Sequence, residues 1–350
     1  MKAWLRDNKI AGRLPGWIAK SLMILLTGIW SYWGAGEMYH EGWWGAWYNP
    51  LLYLLPAAIF LTLTLVSLSW PRFGGTIIAV FGVAAGLIVN AIPIGLIIVI
   101  VGGLFWLEGR RIGNLPAPLE AGANRWWFRL AVIPPILIFV GASAYMLPIV
   151  LTRVDDGDRS ARVIDGNGVS LVWAPEGPGW NWQQPWGGYV SWDSVALYGA
   201  PPVGVDWKSK PGYGRLDGGT WHHASAEDMT RTNLCLYLIE DGLTLMAEPQ
   251  HIWRMPTVDE YVRSFARHGE NAGCAWRGEN KQRVTCNMLP DKETPLWAPN
   301  LAPIYYWAAE EYDERDAYFV SYNGFVNAAG KSSANTRHSY RCVKEVDSTE

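Results

Sequence analysis

The spacing of apolar positions divides the chain into two regimes. Between Trp17 and Val150 apolar stretches long enough to cross a bilayer follow one another, whereas from Arg153 onward charged residues, Gly, Asn and Asp interrupt every apolar run. The runs predict about five transmembrane helices, at 17–35, 51–70, 76–89, 92–107 and 127–151. Taken as one helix, the stretch from Thr76 to Leu107 would have ~32 residues and reach about 48 Å, against a hydrocarbon core of about 30 Å. Asn90 and Pro93 lie at its middle, where Asn favours a turn and Pro has no N–H to donate. A tight hairpin is predicted there, either two crossings or a re-entrant pair. Gly82, Gly86, Gly95, Gly102 and Gly103 suit close helix packing.

Basic residues orient this half. Lys2, Arg6, Lys9 and Arg13 precede the first span and Lys20 lies in its first turn, Arg72 sits in a short turn, and Arg110, Arg111 and Arg125 precede the last span. The positive-inside rule puts all of them in the cytoplasm if the chain crosses five times, or three times with a re-entrant hairpin. Either way residue 152 emerges outside. The loop from Glu37 to Asn49, rich in Trp and Tyr, then lies at the outer interface as an aromatic belt. No cleavage site follows the basic N-terminus, so the first helix is expected to stay as an anchor. No span carries an Asp, Glu, Lys, Arg or His near its centre, which argues against a transport path.

Beyond the membrane half, residues 152–162 read as a charged, turn-prone linker, and a folded domain is expected over 163–346. Up to Trp221, frequent Gly, Pro and Trp predict short strands and loops. Ser225-Ala226-Glu227-Asp228 opens a helix that Asp241-Gly242 closes, and Thr257-Val258-Asp259-Glu260 opens a second that ends at His268-Gly269. Antiparallel strands are predicted at Ala317–Tyr322, Phe325–Asn327 and Ser339–Val343, with a turn at Asn323-Gly324.

The formal charge of −3 shows no basic stripe, which excludes a nucleic-acid footprint. All four cysteines, Cys235, Cys274, Cys286 and Cys342, fall in the external half. An even number outside the cytoplasm favours two disulfides, with three possible pairings, and no Cys-x-x-Cys supports a metal site. His222-His223 has no carboxylate that the sequence places beside it, and adjacent strand residues point apart. The acidic run Glu310, Glu311, Asp313, Glu314 and Asp316 offers hard oxygens to calcium but lacks an EF-hand spacing. No Gly-x-Ser-x-Gly elbow, His-Glu-x-x-His or P-loop occurs, and no cofactor is implied.

Five segments carry a resemblance: Val169-Ser170-Leu171-Val172-Trp173; Asn233-Leu234-Cys235; Trp253-Arg254-Met255-Pro256-Thr257-Val258-Asp259-Glu260-Tyr261; Ala317-Tyr318-Phe319-Val320; and Tyr340-Arg341-Cys342-Val343. In these the chain resembles the Lcl C-terminal-domain family, a bacterial group within the broad C-type-lectin-like fold, over about residues 163–346. The resemblance implies an α+β C-type-lectin-like domain with two helices and short antiparallel strands, and a disulfide between Cys235 and Cys342 that leaves Cys274 with Cys286. Recognition of a protein or glycan is the expected role, through the long loops from Ala275 to Pro303 ordered by Cys274 and Cys286, with a homo- or hetero-oligomer as the expected assembly. Trp297, Asn300, Tyr305, Glu311 and Asp313 are the candidate contact residues, by aromatic stacking and polar contact. Ala298-Pro299-Asn300 departs from the calcium-binding Glu-Pro-Asn pattern of such lectins. A formylglycine-generating type of enzyme, which needs unbonded thiols, and a small-solute transporter are the alternatives.

Overall fold

The structure, a computed structural model, describes residues 9–43, 47–88, 90–112, 122–181, 190–199, 215–217 and 220–346. The chain splits into two compact units, Met1–Leu151 and Thr152–Glu350.

The first unit is helical: α1 Lys9–His40, α2 Asn49–Leu52, α3 Leu55–Ser69, α4 Pro71–Ile88, α5 Ile92–Ile112 and α6 Gly122–Leu151. Among the described residues four segments are long and apolar enough to cross a membrane: Leu14–His40, Pro71–Ile88, Ile92–Arg110 and Arg125–Leu151. The stretch expected to span at 51–70 forms the 15-residue α3, about 22 Å long and so shorter than the hydrocarbon core. Prolines set its limits. Pro56 occupies its first turn, where a missing N–H is harmless, and Trp70, before Pro71, leaves helical geometry.

Between α4 and α5 the chain reverses at Asn90, whose φ of 52° is left-handed. The two helices then pack backbone to backbone. A Cβ on Gly82 would lie 2.8 Å from the Gly95 carbonyl oxygen, and one on Gly102 would lie 2.6 Å from that of Gly75. Only residues without a side chain fit there, because the ridge of one helix is the backbone of the other. Around this pair Ala19, Met23, Phe60, Ile78, Ile98, Val101 and Phe105 form a buried cluster.

The second unit is sheet-rich. A hairpin of β1 (Arg162–Gly166) and β2 (Val169–Trp173) is joined by the last strand, β12 (Val343–Glu345), antiparallel to β2. Before the second sheet come α7 (Trp192–Ala196), the hairpin of β3 (Arg215–Asp217) and β4 (Thr220–His222), α8 (Ala226–Arg231), a 3-10 turn Leu234–Tyr237, α9 (Val258–Arg263), and the hairpin of β5 (Ala266–Arg267) and β6 (Glu270–Asn271). The second sheet has the order β11-β8-β9-β10-β7, from β7 (Gln282–Arg283), β8 (Tyr305–Glu311), β9 (Asp316–Ser321), β10 (Phe325–Gly330) and β11 (His338–Ser339). Trp173, Trp180, Trp192, Trp253, Trp297 and Trp307 are fully buried. Disulfides join Cys235 to Cys342 and Cys274 to Cys286.

Several local expectations are corrected. The helix expected over 225–241 stops at Arg231, because Asn233 binds backbone on both sides: its Nδ2 donates to the Met229 carbonyl and its Oδ1 accepts the Cys235 N–H at 2.9 Å. Likewise α9 ends at Arg263, and His268-Gly269, with φ of 53° and 79°, is the turn of the β5–β6 hairpin. The strand expected at Ser339–Val343 is broken. Ser339 belongs to β11 and Val343 to β12, and Arg341 between them is buried, donating from Nε to the Ala174 carbonyl at 2.8 Å with its guanidinium 3.7 Å from the centre of the Trp180 ring. The segment read as a linker is also tied down within the second unit: Arg153 pairs with Asp291 at 2.9 Å, and the Asp156 N–H reaches Thr294 Oγ1 at 3.2 Å.

Candidate functional site

The sequence-expected contact residues do not meet. Trp297 is fully buried, stacked 3.9 Å from the Tyr306 ring, so it is a core residue with no face to offer a ligand. Asn300 donates to Asp155 Oδ2 at 2.8 Å. Tyr305 is half-buried against Phe319 and His338. It begins β8, while Glu311 ends it about 20 Å away at ~3.3 Å per residue. Asp313 folds a surface turn by accepting the Arg315 and Asp316 N–H groups, both at 2.8 Å, which hold its carboxyl below the usual range. Within the loops expected to form the contact surface, Asp291, Lys292, Glu293 and Leu296 are buried as well as Trp297.

A cleft of about 590 Å³ lies elsewhere on this unit, between α8, the extended segment 251–255, β8 and β12. That volume falls in the range of small-ligand and side-chain pockets. Its floor is apolar, made by Met229, Leu236, Ile252, Trp253, Met255 and Ala309, and its rim carries Arg254, Glu310, Lys344 and Glu345. The framework is rigid by construction. The Cys235–Cys342 bridge links the wall that holds Asn233 and Leu236 to the wall that holds Lys344. Segment 251–255 is pinned to β12 by a reciprocal backbone pair, Arg254 N–H to Val343 O at 2.8 Å and Val343 N–H to Arg254 O at 2.9 Å. Trp253 donates from Nε1 to the Ile239 carbonyl at 2.8 Å, which fixes its ring in the floor.

The rim's charges are unequally matched. Arg254 grips Glu260 with both terminal nitrogens, at 2.6 and 2.8 Å, and also bonds Glu345 at 2.6 Å. The Glu260 bond raises the pKa of Arg254. Burial works against the charge of Glu260, but Arg254 and the Thr257 N–H hold it below the usual carboxylate range. Lys344 bonds Glu240 and lies 5.2 Å from the Trp253 ring centre. Glu310 accepts the Val258 N–H, at 3.0 and 3.1 Å to its two oxygens, and has no cationic partner among the described residues. Burial pushes its pKa up to about 6, with Glu260 and Asp259 adding repulsion.

A second polar cluster gathers around Asp193 and Lys331. Asp193, fully buried, accepts from the Ala224 N–H at 2.7 Å and pairs with His223 Nδ1 at 2.8 Å. Burial raises the Asp193 pKa against the opposing pull of His223. Lys331 bonds the Ala224 carbonyl at 2.8 Å and Glu311 at 2.6 Å, under the Trp192 ring. His223 therefore has the carboxylate that the sequence did not place, 30 residues earlier. Among the described residues no group of three or more His, Cys, Asp or Glu is arranged to hold a metal ion. In the helical unit, Lys20 and Glu108 form a buried pair at 2.7 Å.

No family model, curated protein or solved structure matches the chain. The cleft combines open volume with a carboxylate that has no cationic partner among the described residues. Its Trp253-Arg254-Met255 wall stood out in the sequence, but Glu310 was one carboxylate of an acidic run until β8 separated it from Glu311.

Proposed function

We propose that this chain is a membrane-anchored binding or assembly subunit. Its second unit, read as a C-type-lectin-like module of the Lcl C-terminal-domain type, lies outside the cytoplasm and recognises a protein partner through the cleft. The observation that carries this reading is the cleft itself, an apolar floor with a charged rim built on a disulfide-tied framework. The placement outside the cytoplasm is supported by the two disulfides. With all four cysteines bonded, the alternative that depends on a reactive thiol has no group to carry it.

The test is photo-crosslinking in native membranes, with benzoylphenylalanine placed either at Thr230 on the exposed edge of the cleft or at Val163 on β1. A discrete adduct from position 230 and none from 163 is expected. The same adducts from both positions, or none from either, would contradict the assignment.

A further inference from the structure

The cleft's ligand can be narrowed by matching its charges. Residues 152–350 carry 27 Asp and Glu against 19 Lys and Arg. This unit therefore attracts cations at long range, within the reach that salt screening allows. At short range the same imbalance is concentrated on the rim. Arg254 already has two carboxylates and Lys344 has Glu240, whereas Glu310 has no cation of its own among the described residues.

Glu310 is also placed where a cation would gain most from meeting it. Its carboxyl sits at the edge of the apolar floor formed by Met229, Ile252, Met255 and Ala309, largely out of water. A charge pair in such surroundings is screened less than one on an open surface. The Val258 N–H fixes the carboxylate in position without neutralising it. Lysine and arginine combine an apolar stem with a charged end, and they lay that stem along apolar surface while the head seeks a carboxylate.

We propose that the cleft receives a lysine or arginine side chain of a partner polypeptide, its stem on the Met229–Ile252–Met255 floor and its head paired with Glu310. This rests on the cleft being the binding site. Acids and purely apolar side chains are discriminated against: the first meet a like charge, and the second leave a desolvated carboxylate unpaired. Arg254 and Lys344, held by their own carboxylates, frame the opening and contribute no competing attraction for the cation.

The experiment uses the full chain in lipid nanodiscs and four fluorescent nonapeptides that differ only at the central residue, which is Lys, Arg, norleucine or Glu. Binding is followed by anisotropy. The Lys and Arg peptides are expected to bind at least about tenfold more tightly than the norleucine peptide, and the Glu peptide most weakly. In Glu310→Gln, which keeps one acceptor for the Val258 N–H, the Lys and Arg peptides are expected to fall to the norleucine level. A second variant, Thr230→Trp on the exposed face of α8, closes the mouth of the cleft without touching Glu310 and is expected to weaken every peptide. Equal binding of Lys and norleucine peptides, lost in Thr230→Trp, would overturn the cation assignment while leaving the cleft as the site. A Lys preference unchanged in Thr230→Trp would overturn both, as would failure of every peptide to bind.

Discussion

The helical unit and the sheet-rich unit solve the packing problem with opposite ends of the amino-acid size scale. Where α4 meets α5 the contact is made by glycines, with backbone against backbone at Gly75, Gly82, Gly95 and Gly102. Among the described residues of the second unit six tryptophans are fully buried. The contrast follows from the solvent. In lipid, burying a large apolar side chain gains little, because the tails it leaves are equally apolar, and close van der Waals contact becomes the main source of cohesion. In water each buried aromatic removes 150 to 250 Å² or so from solvent, at roughly 25 cal/mol per Å². The same residue type therefore changes role along the chain: Trp33 and Trp47 are exposed in the helical unit, whereas Trp297 and Trp307 are core.

Substitutions sharpen the contrast. The largest effect is expected from replacing Cys235 and Cys342 together by Ala, which frees a loop of 107 residues and should cost the second unit about 4 to 5 kcal/mol by chain entropy. Denaturant unfolding monitored by tryptophan fluorescence would read it, while the helical unit's circular dichroism stays unchanged. Next is Trp307→Ala, which removes a buried ring packed on Phe319 and His338 and should cost about 3 to 5 kcal/mol. Equivalent losses from Trp33→Ala would break the comparison. In the membrane unit the sensitive change is an addition: Gly82→Ala drives a methyl into the Gly95 carbonyl and should destabilise the α4–α5 hairpin by about 1 to 3 kcal/mol. Gly103→Ala, with nothing within 4 Å, should be silent in the same detergent thermal-shift assay.

The cleft adds an effect of opposite sign. Folding raises the Glu310 pKa from 4.5 to about 6, so the native state binds this proton more tightly than the unfolded chain. The resulting stability is present below pH 4.5 and is lost as pH rises through about 6. At pH 7.5 the ionised carboxyl therefore costs up to about 2 kcal/mol, at 1.36 kcal/mol per pKa unit. Glu310→Gln should recover that amount at pH 7.5 and none at pH 4, as read by denaturant midpoints at the two values. Gain of stability with loss of ligand is the pattern of a residue retained for binding.

Legibility in the sequence followed the range of the determining interactions. The apolar runs, the hairpin at Asn90, the turn at Asn323-Gly324 and the capping boxes at Ser225 and Thr257 depend on neighbours in sequence, and each has a local pattern. The cysteine pairing came from resemblance rather than from spacing. What stayed hidden was set at long range: Asn233 stops α8 through its own side chain, Arg341 finds Ala174 across 167 residues, and Asp193 meets His223 only when α7 and β4 are in place. Glu310 and Glu311 are identical in kind and adjacent, and only the fold of β8, whose register with β9 is irregular between Trp307 and Glu311, sends one to the cleft and the other to Lys331. Trp297 looked like a binding aromatic because sequence counts aromatics but does not say which faces are covered.

The most direct test of the account is disulfide mapping on the protein taken from intact cells, acid-quenched and alkylated before any reduction, then digested and analysed by mass spectrometry. The prediction is a Cys235–Cys342 peptide pair, a Cys274–Cys286 pair and no alkylated cysteine. Alkylation of any of the four before reduction would contradict an oxidised, extracytoplasmic binding unit, and with it the framework on which the cleft is built.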